Sequence, residues 1–124
     1  MTLPIVLHDA VPYDRDFQRY LSQYHERLWE RLDLVPTFSS IRTTALLTYF
    51  LDLACHSQHI RNITLGRLAL WALPREWLLA VIEPIAEPFI QEQDEWVYRR
   101  LIEIYWTLDS VLTQKLAQRG LISS

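Results

Sequence analysis

Glycine is almost absent from this chain: 124 residues hold 2, Gly66 and Gly120. A β-sandwich or barrel needs turn residues between its many short strands, so the scarcity argues against both folds. Cysteine is scarcer still. A lone Cys55 excludes an intramolecular disulfide and suits a reducing compartment, so a cytoplasmic location is expected. There is no excess of positive charge. The formal net charge is −3, and Arg99-Arg100 is too short a basic run to make a nucleic-acid face, so no nucleic-acid partner is expected. Long apolar runs are missing as well. The stretch Met1-Thr2-Leu3-Pro4-Ile5-Val6-Leu7-His8-Asp9 has neither the basic start of a secretory signal nor the length of a membrane span, and no membrane partner is expected.

What is present is a globular balance, with 50% hydrophobic and 22% charged residues. Residues 1–124 are expected to form a single domain, large enough to fold around one apolar core with no metal or disulfide. Apolar residues recur at three-to-four spacing through most of the chain, which predicts an all-α protein of five to six helices. The arrangement expected is a compact bundle or a short stack of helical hairpins.

Pro4 and Pro12 bracket Ile5-Val6-Leu7, so residues 1–12 read as an extended N-terminal arm. From Asp14 the stripe Phe17, Tyr20, Leu21, Tyr24, Leu28 and Leu32 predicts one amphipathic surface helix ending near Asp33. Its aromatic content suits docking on the domain or on another chain, with Tyr20, Tyr24 and Trp29 as candidate partner-binding residues. Pro36 interrupts, and Ser39 or Ser40 can cap a helix over residues 41–56 that completes a first helical pair spanning 13–57. That helix is apolar around most of its circumference, as a central helix would be. Only Thr44, Thr48, Asp52 and His56 form a narrow polar stripe.

Downstream, Asn62 or Thr64 is the expected N-cap of a helix reaching Leu73, and Pro74 suits the first turn of the next. Pro84 and Pro88 predict a kink rather than a stop, because Ile85, Phe89 and Ile90 keep the apolar spacing. Asp94 caps the following helix, whose inner edge is Val97, Leu101, Ile104, Tyr105 and Leu108. Asp109 or Ser110 caps a last helix with Val111, Leu112 and Leu116 inward and Gly120 at its C-terminal end. A shift of about 34 residues lays Leu68-Ala69-Leu70-Trp71 over Ile102-Glu103-Ile104-Tyr105, so residues 60–120 read as two similar helical hairpins.

The segments Leu65-Gly66-Arg67-Leu68-Ala69-Leu70, Pro74-Arg75-Glu76-Trp77-Leu78-Leu79, Ile82-Glu83-Pro84-Ile85-Ala86-Glu87-Pro88 and Asp94-Glu95-Trp96-Val97-Tyr98-Arg99-Arg100-Leu101 resemble bacterial HEAT-type helical-repeat proteins of uncharacterised role. The resemblance covers residues 60–124 and implies stacked helix pairs that bind other proteins, as an adaptor or an immunity-type inhibitor.

Chemistry-bearing residues are few. Asp52, Cys55, His56 and His59 fall on one face if the helix reaches His59, and thiolate, imidazole and carboxylate are groups a transition metal takes. Their spacing matches no standard zinc module, and Cys55 also reads as a small core residue. Glu83 and Glu87 are paired carboxylates, but no Asp/Glu-x-x-His companion exists, so they read as a solvated pair with slight mutual repulsion. Ser39, Ser40, Ser57 and His25 assemble into no triad, and neither a nucleophile elbow nor a phosphate loop is present. Trp71, Trp77, Trp96 and Trp106 read as packing residues.

The expected function is therefore non-enzymatic protein–protein interaction, with a protein partner or a second copy of the chain and no cofactor. A small metal-binding protein built on Asp52, Cys55, His56 and His59 is the alternative.

Overall fold

The computed structural model describes residues 14–119, and the expected arm at 1–12 and the capping role of Gly120 lie outside them. The described residues form six α-helices and two short 3-10 helices, with no strand. Helix α1 is Asp14–Ser22, and the 3-10 helices are Leu28–Glu30 and Leu32–Thr37. Helix α2 is Ser40–His56, α3 is Ile60–Ala72, α4 is Arg75–Gln91, α5 is Glu95–Leu108 and α6 is Ser110–Arg119. The fold is all-α, and the two 3-10 segments take the helix count above the five to six expected.

The first helix is the largest departure from the sequence reading. It ends at Ser22, not near Asp33. The Tyr24 and His25 amides both bond the Leu21 carbonyl, and Arg27 adopts a left-handed backbone at φ 54°, which no α-helix can continue through. The turn has a packing consequence: it brings Leu28, Leu32 and Val35 into the same core as Phe17 and Leu21. A straight helix would have carried Leu32 away from a domain this small.

Helix α2 is the central rod. Ser39 caps it, its hydroxyl accepting from the Arg42 amide at 3.3 Å. Leu46, Leu47, Phe50, Leu51, Ala54 and Cys55 are all buried, and the helix packs against α3, α4 and α5. Thr44, Thr48, Asp52 and His56 stay on its outer stripe. Helix α3 crosses it closely, because Gly66 lies on the backbone of Phe50 and Ala54. Neither Asn62 nor Thr64 caps α3. The helix starts two residues before Asn62, with His59 in the cap position, because the Ser57 hydroxyl accepts from the His59 amide at 3.0 Å and closes the link early.

Helix α4 follows Pro74 and runs through both Pro84 and Pro88. Each proline withholds a bond from the carbonyl four residues before it, at Ala80 and at Pro84. Ala80, Pro84 and Pro88 are all exposed, so water reaches those carbonyls and the helix survives. Asp94 caps α5 by accepting from the Trp96 and Val97 amides at 2.8 and 3.1 Å, and Asp109 caps α6 through the Leu112 amide at 3.1 Å. On α6, Leu112 and Leu116 face inward, whereas Val111, also expected inward, is 61% exposed. Thr113 is buried in its stead, its hydroxyl donating to the Asp109 carbonyl.

Side-chain bonds join alternate helices. Arg67 pairs with Glu103 and the Trp71 indole N–H donates to the Ile104 carbonyl at 3.3 Å, so α3 and α5 run in the same direction, and Arg75 at the start of α4 donates its Nε–H to the Leu108 carbonyl at 2.9 Å. Lys115 to Glu83 and Arg119 to Glu87 join α6 to α4 in the same way. Arg100 then reaches the Cys55 and Ser57 carbonyls at the end of α2, closing the helices around that rod.

Candidate functional site

Helix α5 has two opposed faces. At about 100° per residue, Val97, Leu101, Ile104, Tyr105 and Leu108 share one arc, and all are buried. Trp96, Arg99, Glu103 and Trp106 share the opposite arc. Trp96 is 57% exposed and Trp106 76% exposed, about 15 Å apart along the axis at 1.5 Å per residue. These two indoles do not pack in the core, contrary to the expectation for the tryptophans as a group. Trp71 and Trp77 do pack against it, half-buried. The alternation of 96, 99, 103 and 106 against 97, 101, 104, 105 and 108 already carried this distinction. It was masked by the general tendency of tryptophan to be buried.

Trp96 is also held in place. The Arg100 guanidinium sits 5.0 Å from its ring centroid while bonding the end of α2, so one face of the indole is fixed and the other is open to solvent. Arg99 pairs with Glu95 at 2.8 Å on the same surface. The result is a ridge with two large aromatics separated by paired charges, the composition of an interface anchor set with its polar surround.

The aromatic residues of the first helix are engaged internally. Tyr20 stacks on Tyr49 with centroids 4.0 Å apart, and the Tyr20 and Tyr24 hydroxyls are 3.0 Å from each other. Arg42 lies over the Tyr24 ring, and Tyr20, Tyr24 and Trp29 are all half-buried against the core. Burial, then the bond to Tyr24, raises the Tyr20 pKa, and burial pushes that of Tyr49 up to about 12, so these phenols stay neutral. One edge of this cluster remains open for contact.

Of Asp52, Cys55, His56 and His59, the structure joins Asp52 to His56. The His56 Nδ1 lies 2.5 Å from Asp52 Oδ1, and its Nε2 lies 2.8 Å from both carboxylate oxygens of Glu92. The ring stacks on Phe89, with centroids 5.0 Å apart. Partial burial pushes the imidazole pKa down, but the bonds to Asp52 and Glu92 outweigh it and the net shift is upward. Cys55 points into the core, where burial pushes its thiol up to about 12 against the pull of Arg100 and Arg67. His59 lies beyond the end of α2. Among the described residues no three His, Cys, Asp or Glu side chains converge as metal ligands.

Glu83 and Glu87 face a cleft of about 400 Å³ between α4 and α6. Rather than merely repelling each other in solvent, each binds a cation of α6: Glu83 meets Lys115 at 3.0 Å, and Glu87 meets Arg119 at 2.7 Å. The bond to Arg119, then that to Gln91, brings the Glu87 carboxyl down to about 2. The serines form no triad. The Ser39 and Ser57 hydroxyls accept from backbone amides, and the His25 ring bonds the Glu26 carbonyl at 2.9 Å.

Comparison of the chain with protein-family models, with curated proteins and with solved structures gives no match.

Proposed function

We propose that the protein is a non-enzymatic, cytoplasmic protein-interaction module of the adaptor or immunity type, and that it meets its partner through the outer ridge of α5. The observation that carries this reading is the pair Trp96 and Trp106, two large aromatics turned to solvent on a helix whose other face is fully packed. The open edge of the Tyr20, Tyr24 and Trp29 cluster offers a secondary contact. Helices α3 to α6 read as two HEAT-like hairpins. The support is that the bonds and ion pairs between alternate helices join residues 32 to 36 positions apart. No helix among the described residues is long and apolar enough to cross a membrane, and Cys55 is free and buried, which suits a reducing compartment.

A photo-crosslinking residue placed at position 106 tests the assignment in cells producing the protein at its native level. A discrete adduct at 106, with none at position 48 on the outer stripe of α2, is the expected result. Absence of any adduct at 106, whether with another protein or with a second copy, removes the reading.

A further inference from the structure

The cleft between α4 and α6 goes unused by the protein-binding reading. Its floor is Tyr105, only 3% exposed, set beside Leu112 and Leu116, with Ile90 also in the wall. A phenol buried this deeply ordinarily finds a hydrogen-bond partner. The nearby Tyr98 does so, donating to the Leu116 carbonyl at 2.8 Å. The Tyr105 hydroxyl has no such partner among the described residues and is not sealed from solvent: it opens on the space between the two helices, where a ligand can reach it. Burial, then the nearby Glu83 carboxylate, raises its pKa, so the group is a neutral O–H.

The rim is charged in a balanced way. Glu83 and Glu87 stand on α4, and Lys115 and Arg119 stand opposite on α6. These pairs are partly solvated, so parting them costs little. A ligand of one net charge would satisfy the groups on one side and strand those on the other. A zwitterion offers its carboxylate to both cations and its ammonium to both carboxylates, so neither side is left without a counter-charge. The volume is within the range of small-molecule sites, and the apolar wall accepts a hydrocarbon body.

We propose that this cleft binds a small zwitterion with an apolar body, of the α-amino-acid class. Lys115, Arg119 and the Tyr105 hydroxyl hold its carboxylate, and Glu83 and Glu87 hold its ammonium.

Titration calorimetry and thermal shift on the full chain test the site, with phenylalanine and leucine as probes and phenylalaninamide and N-acetylphenylalanine as singly charged analogues. Both zwitterions are expected to bind and to raise Tm, and each analogue to bind at least about tenfold more weakly. Tyr105→Phe removes a hydroxyl that no described residue uses, so the fold should survive while affinity falls about tenfold. Arg119→Gln, on the exposed rim, is a second variant and should weaken binding as much or more. The proposal is overturned if neither zwitterion binds the unaltered protein, if the singly charged analogues bind equally well, or if both variants bind as the parent does.

Discussion

Gly66 rests on the backbone of Ala54: a Cβ built on the glycine would stand 2.6 Å from the Ala54 amide nitrogen and equally close to the Phe50 carbonyl oxygen. Both obstructing atoms belong to the backbone of α2, so no side chain can swing aside. Gly66→Ala gains about 0.5–1 kcal/mol of helix propensity, but forcing the helices apart costs about 1–3 kcal/mol, so a net loss is expected. Chemical denaturation should show a lower midpoint with an unchanged slope. A midpoint equal to or above that of the parent would mean that α2 and α3 do not approach this closely.

Arg75 joins the start of α4 to the junction of α5 and α6. Its Nε donates to the Leu108 carbonyl, one of the unpaired carbonyls at the end of α5, and its guanidinium also meets Asp109 at 3.2 Å. Asp109 in turn caps α6. Arg75→Ala should therefore destabilise by about 1–2 kcal/mol, and Arg75→Lys should recover only part, since an ammonium lacks the fork that meets both acceptors. Asp109→Ala should cost a similar amount through the lost cap. The double variant should cost less than the two single losses added together, and a thermodynamic cycle measures that difference.

Most of the helices were legible in the sequence because apolar spacing and capping residues agree there. Ser39, Asp94 and Asp109 mark helix starts by residue type, and α2 reads as central from its apolar circumference. The end of α1 was not legible, since Leu21, Leu28 and Leu32 keep helical spacing across a turn that the left-handed Arg27 makes. Periodicity records which residues face the core and not whether the chain between them is straight. The partners of His56, Glu83 and Glu87 were hidden for another reason. Glu92 follows the end of α4, and Lys115 and Arg119 stand on α6, each more than thirty positions from its partner, and nothing local announces them.

The His56 clasp gives stability a direction in pH. Its folded pKa lies above the ordinary histidine value, because Asp52 and Glu92 both favour the imidazolium. The folded protein then holds this proton more tightly than the unfolded chain. The clasp contributes fully below the unfolded pKa, about 6.5, and its contribution fades as pH rises through the folded pKa. Thermal melts of the parent and of His56→Gln should differ most below the unfolded pKa and converge as pH rises past the folded one. Glu87 acts in the opposite sense: its contribution is present above the ordinary carboxyl range and fades as pH falls toward 2. A gap between parent and His56→Gln that widens with rising pH would contradict the clasp.

Trp96 and Trp106 separate binding from folding. Both indoles are mostly exposed on the α5 ridge, so trimming them removes little buried contact. Single Trp106→Ala should change stability by no more than about 0.5 kcal/mol. Trp96→Ala should cost somewhat more, because Arg100 loses the ring beneath its guanidinium while keeping its bonds to α2. Leu101→Ala, on the packed face of the same helix, should instead cost about 2–5 kcal/mol. Stability and partner recovery should therefore diverge: the tryptophan double variant folds and loses its partner, while a milder core variant of equal or lower stability keeps it. If partner recovery simply tracks stability across these variants, the ridge is an ordinary surface and the interaction lies elsewhere on the molecule.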